Sequence, residues 1–302
     1  MRGLILASVW LAGCSSGDKE DFTPLSCTED VGDESASDDQ RVGLDAANCY
    51  RAMMGLEPGV LGSLVNTATQ SHADYMAGAG AISHQQTQGR PGFTGEWVWD
   101  RIAAEGRPIE GGEMVSEVVS SGYGPASAEG GWMQTVYHRM PFTLPLWVEV
   151  GFGQSGDFSS MTFVSEFPDG PRQGIIYPVD GQADVPPSFQ SDWEWPDPAP
   201  DHGEVGMPIT VTVADEVMGS DDDDPYDTRL IYATLVDEDG VELEVLLGDP
   251  GDDEYLYQMA MMIPVEPLKP GASYAATMIV SWRGEEETFS STFTTAEAGE
   301  MR

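Results

Sequence analysis

A chain of 302 residues with 13 Lys and Arg against 52 Asp and Glu carries a formal charge of −39. Such a field repels nucleic acid and other polyanions and disfavours docking on anionic lipid. The length suits about two domains.

The chain opens as an export signal. Arg2 is followed by a short apolar run over residues 3–11. A helix needs about 20 apolar residues to cross a bilayer, so the run fits a cleavable signal segment instead. It ends in Leu11-Ala12-Gly13-Cys14, which resembles the lipobox of bacterial lipoproteins. The resemblance implies removal of residues 1–13, a lipid on Cys14, and a bacterial cell-envelope location on the periplasmic side or the outer surface. Residues 14–40 are rich in Ser, Asp, Glu and Gly and read as a disordered tether. Cys27 and Cys49 then remain as an even pair, which in an exported protein invites a disulfide, the alternative being two free thiols.

Apolar residues at helical spacing predict helices over 44–54, 62–76 and 126–138. Glycines follow the second, and Pro141 lies beyond the third. Residues 147–152 and 161–167 read as strands. Helices followed by a hairpin define an α+β domain over 41–168. Pro168-Asp169-Gly170-Pro171 marks its end.

Several pieces of this segment resemble the CAP superfamily, which comprises cysteine-rich secretory, antigen 5 and pathogenesis-related 1 proteins. In order they are Asn48-Cys49-Tyr50-Arg51 with Gly55-Leu56, Ser71-His72-Ala73-Asp74-Tyr75-Met76, Ile82-Ser83-His84, Asp100-Arg101-Ile102 with Gly106, Gly112-Glu113-Met114-Val115, and Trp132 through Arg139. The resemblance implies an α-β-α sandwich. It also implies a cleft formed by His84, Glu113 and His138, with Glu117 as an alternative to Glu113. Two imidazoles and a carboxylate suit Zn2+ or another divalent cation and leave a position open to water or substrate. Without metal, the same groups would move protons or brace the sandwich as a buried network. Thr135 stands where animal members have a second Glu. His72 reads as a packing residue and His202 as solvated.

Residues 174–298 hold six candidate strands, at 209–213, 230–236, 241–247, 256–263, 274–282 and 288–294, with a turn signal at Asp237-Glu238-Asp239-Gly240. Leu268-Lys269-Pro270-Gly271-Ala272-Ser273-Tyr274 resembles the tyrosine corner of fibronectin III and bacterial Ig-like sandwiches. The acidic runs 221–224 and 249–254 read as calcium-binding loops or as solvated surface. The function expected is an exported binding module for a small apolar ligand, a divalent metal or a protein partner, with the Ig-like part as spacer or second contact. The alternatives are a metal-assisted, peptidase-like hydrolase at the same cleft and a structural or adhesive surface protein.

Overall fold

The computed structural model describes residues 27–298 except 123, 125–130, 147, 167–172, 215–223 and 225. The export signal, Cys14 and the join at 168–171 lie outside the described residues. The protein is α+β.

Helix α1 spans Asp38–Met53. Ser37 accepts from Gln40 N–H at 3.3 Å, and the Gln40 side chain accepts from Ser37 N–H at 2.9 Å, so two orphan donors of the first turn are satisfied reciprocally. Asp38 and Asp39 complement the helix dipole there. After the short strand β1 (Val60–Leu61), α2 spans Ser63–Ala79 and ends on Gly80 in the left-handed conformation. Helix α3 (Val98–Ala104), strand β2 (Glu113–Ser121), α4 (Met140–Thr143), β3 (Val148–Ser155) and β4 (Phe158–Glu166) complete the first half.

Its sheet runs β1-β3-β4-β2, with only β1 parallel to its neighbour. Alternation along β3 sets the layers. Gly151 and Gly153 face α2 so closely that an added Cβ would meet Val65 O and Gln70 Cα at 2.6 Å. Phe152 points to the opposite face, against Gly43 of α1, and joins Leu44, Trp132, Phe142 and Phe163 in the core. Helices therefore cover both faces of the sheet.

Two expectations are corrected. The disordered tether was expected to reach residue 40, yet chain from Cys27 onward is tied to the fold. Cys27 is bridged to Cys49 with a Cα–Cα separation of 5.0 Å, and Val31 O accepts from Leu61 N–H at 2.8 Å. The helix expected over 126–138 is replaced, in its described part, by one 3-10 turn at Trp132–Gln134. The reason is competition for backbone donors. The N–H groups of Val136, Tyr137 and His138 all go to the carboxylate of Glu194, at 2.7, 2.8 and 3.2 Å.

The second half contains β5 (Gln173–Tyr177), β6 (Gln182–Val185), β7 (Ser188–Gln190), β8 (Glu204–Gly206), β9 (Ile209–Ala214), β10 (Arg229–Asp237), β11 (Val245–Gly248), β12 (Met259–Pro264), β13 (Ser273–Trp282) and β14 (Glu285–Thr295). They form the sheets β10-β13-β14-β6 and β11-β12-β9-β5, with β7 paired to β8. Leu235, Met278 and Phe293 of the first sheet share a core with Ile209, Val211 and Met262 of the second. Strand β13 alternates between half-buried and buried positions, as a sheet with one covered face should. Strands β9 and β12 are buried throughout. The outer face of β12 is covered by Phe189 and Val205 of β7 and β8 and by Val136 from the first half, while Thr210 and Thr212 of β9 meet Arg139 and Thr143. The Tyr274 hydroxyl accepts from Lys269 N–H at 2.8 Å. No helix among the described residues is long and apolar enough to cross a membrane.

Candidate functional site

Two histidine–carboxylate centres flank the free edge of β2. The first gathers His72 from α2, His84 and Gln86 from the α2–α3 loop, Arg101 from α3 and Glu117 from β2. Glu117 Oε2 accepts from His84 Nδ1 at 3.0 Å and lies 3.8 Å from His72 Nε2. Its Oε1 accepts from Arg101 Nη2 at 2.5 Å. Arg101 also donates to His84 O at 3.0 Å, so one guanidinium holds both the backbone and the partner of that histidine. Burial drives the Glu117 carboxyl up, but the His84 hydrogen bond and the Arg101 charge outweigh it and hold the group below its usual range.

The tautomer of His72 follows from its partners. Nε2 lies 2.8 Å from Ser83 O, a carbonyl that only accepts, so Nε2 carries the proton. Nδ1 therefore accepts, and Gln86 Nε2 donates to it at 3.1 Å. Gln86 is oriented in turn by Thr94 N–H, which donates to its Oε1 at 2.8 Å. His72 is thus a buried neutral group at the middle of a polar network, where packing alone was expected. Burial pushes it down to about 4, with Glu117 pulling only part of the way back. A histidine neutral in the fold and protonatable when unfolded gives stability that is whole above pH 6.5 and lost as pH falls towards 4. The expected loss over that window is about 3 kcal/mol. Urea unfolding at pH 7 and pH 4.5 should show it in the wild type and a flatter dependence in His72→Gln. An unchanged slope in the variant would assign the titration to another group.

Glu113 stands apart from this centre. It sits four residues before Glu117 on the same strand, and Arg107 claims both its oxygens, at 2.7 and 3.2 Å. Arg107 also binds Glu149 at 2.8 Å. The hydrogen bonds from Arg107 hold the Glu113 carboxyl below its usual range.

The second centre is His138, whose Nδ1 lies 2.8 Å from Glu194 Oε1. Glu194 is buried and belongs to the second half of the chain. The expected trio of His84, Glu113 and His138 is therefore not one cluster: each has a different partner. Among the described residues, no three His, Cys, Asp or Glu side chains group to hold a metal ion. The donor chemistry agrees. The Arg101 cation already neutralises Glu117, and both nitrogens of His72 are bonded within the fold, so this centre does not gather zinc's usual three or four protein ligands. The residues present do not fit Zn2+.

Between the centres lies a groove of about 670 Å3, lined among others by Ile82, Val119, Trp132, His138, Phe189 and Trp193. Ser120 and Trp132 line it too, and their Oγ and Nε1 atoms are buried with no hydrogen-bond partner among the described residues.

Sequence reasoning missed Gln86 and Glu194 and undervalued His72. Arg101 was quoted within a motif without a role. Only Arg101 had a signal, because a buried arginine needs a carboxylate and a strand with two glutamates follows it.

No family model matches the chain, and no curated protein matches it. Among solved structures, one that matches is a 1.5 Å crystal structure of an extracellular protein containing a SCP domain from Bacillus anthracis str. Ames. It is 16% identical with a TM-score of 0.37, and the match covers 42% of this chain and 40% of that one. The chain thus spans less than half the length of that protein, and a likeness this loose fixes neither detailed fold nor function.

Proposed function

We propose that this is an exported, lipid-anchored binding protein of the bacterial cell envelope. In this reading residues 41–168 are a CAP-type domain, residues 174–298 an Ig-like module, and Cys14 the lipidation site. The groove beside β2 takes a small, largely apolar ligand that carries a hydrogen-bond acceptor. The observation that carries the reading is the groove itself, walled by Ile82, Val119, Trp132, Phe189 and Trp193 with a few polar side chains, His138 and Gln190 among them. The ligand's polar group meets Gln134, His138 or Gln190, and its apolar body displaces water from Ile82, Val119 and Phe189. The order of the CAP-like motifs and the Tyr274 corner support the domain assignment.

A neutral apolar fluorophore should bind residues 27–302 saturably. Ser188→Trp, which fills the groove, should abolish that binding without lowering the melting temperature. Undiminished binding in the folded variant would sink the groove as the site. A catalytic reading draws on one observation only: His138 lines the groove with its Nδ1 held by Glu194. Among the described residues Ser120 Oγ makes no hydrogen bond to it, and the nearby Thr135 hydroxyl donates to Trp132 O. Ester hydrolysis that disappears in His138→Ala would favour catalysis over binding.

A further inference from the structure

Large aromatic side chains seldom stand in water without a purpose. Trp195 is 81% exposed, and it does not stand alone. Its ring lies 6.4 Å from that of Tyr255 at 66°, and Tyr255 lies 6.0 Å from Tyr137 at 60°. Successive rings turned so far from parallel form the walls of an open corner. Such walls present π faces to whatever enters, and the face of an aromatic ring is its negative side.

The surroundings are acidic. Tyr137 donates its hydroxyl proton to Asp253 Oδ2 at 2.6 Å. Asp253 also accepts from Tyr255 N–H at 2.9 Å, which fixes the second ring to the same carboxylate. Asp197 accepts from Ala199 N–H at 2.9 Å. Neither Asp197 nor Asp253 forms an ion pair among the described residues. Burial, Asp253, Glu194 and Asp197 together push the Tyr137 hydroxyl well above the usual phenol range. The corner thus combines π faces with uncompensated negative charge, on a chain of net charge −39.

We propose that Tyr137, Trp195 and Tyr255 form a binding site for an organic cation of the alkylated-ammonium class. Chemistry selects this class. Anions are repelled. A metal ion or a primary ammonium is strongly hydrated and would forfeit that water for ring faces. A quaternary ammonium is weakly hydrated, and its diffuse charge matches ring faces while the carboxylates supply long-range attraction. A neutral ligand gains nothing from the field. The site does not depend on the groove reading, since none of its three rings lines the groove.

The test is a calorimetric titration of residues 27–302 with tetramethylammonium and choline, against 3,3-dimethylbutan-1-ol, the uncharged carbon analogue of choline. The cations should bind saturably, with the neutral analogue about tenfold or more weaker. Binding should weaken as salt is raised. Trp195→Ala should weaken it about tenfold while the melting temperature stays put, because the side chain is exposed. Tyr255→Leu supplies the same reading if Trp195→Ala fails to fold. Absence of saturable cation binding overturns the proposal. So do equal binding of the neutral analogue, tighter binding of a neutral disaccharide, and full affinity in the folded ring variants.

Discussion

Glu117→Ala is expected to cost about 3–5 kcal/mol of folding stability. The size follows from what the substitution strands. Arg101 is almost wholly buried, and its charge is answered by the one carboxylate 2.5 Å away. Removing that carboxylate leaves a guanidinium in low dielectric with only the carbonyls of His84 and Glu96. It also frees His84 from its Nδ1 partner, so the loop carrying it loses a tie. The double variant Arg101→Met/Glu117→Leu should be more stable than Glu117→Ala, because replacing both charges removes the stranded one. Urea unfolding of the two single variants and the double variant measures this coupling. A double variant no better than the singles would show that the pair works independently and that the ion pair is not what holds α3 to β2.

Arg139→Ala carries the second large effect, about 2–4 kcal/mol from the cavity and the carbonyls it strands, and it acts at the junction of the two halves. Arg139 Nε donates to Met133 O at 2.9 Å within its own half. Nη1 crosses to Pro208 O at 2.8 Å and Thr210 Oγ1 at 3.2 Å, and the guanidinium lies 4.6 Å from the centre of the Tyr177 ring. Burial lowers its pKa to about 10, so it stays charged at neutral pH. Nearby, Thr143 Oγ1 meets Thr212 Oγ1 at 2.7 Å, and Leu144 and Leu146 pack on Ala214. The wild type should therefore melt in one calorimetric transition, and Arg139→Ala should separate it into two. A single transition at an unchanged temperature in the variant would mean that the apolar contacts alone weld the halves.

How much of this was legible varies with the range of the interaction. The helices over 38–53 and 63–79 and the strands β3, β4, β9, β10, β13 and β14 follow from local periodicity, which is why their positions were readable. The tyrosine corner spans seven residues and was readable for the same reason. The segment 131–139 was not. Its apolar spacing suits a helix, but a carboxylate 56 residues from His138 takes the N–H groups that a helix would need. No local pattern announces a competitor that distant. The choice between Glu113 and Glu117 failed differently. Both lie on one face of β2, so alternation cannot separate them, and the Gly-Glu motif favoured Glu113, whereas the structure pairs Glu117 with His84. What decides is which arginine each meets, Arg107 or Arg101, and that is settled only when α3 packs. The Cys27–Cys49 bond was readable from the cysteine pair, yet the described start of the chain was still misjudged, because its polar composition outweighed what that bond implies.

That bond has a mechanical consequence. Cys27 is clipped to Cys49, a residue on the fourth turn of α1. Tension applied ahead of Cys27 therefore bypasses the 21 residues between the cysteines and enters the molecule through the middle of a packed helix. Residues 28–48 carry no load while the bridge is closed, so their hydrogen bonds cannot be peeled one at a time from the N-terminal side. Reduction would reroute the same pull through Val31 and the capping box at Ser37, where single hydrogen bonds would fail in sequence. Oxidation state thus sets whether the fold meets a tug as a block or as a zipper.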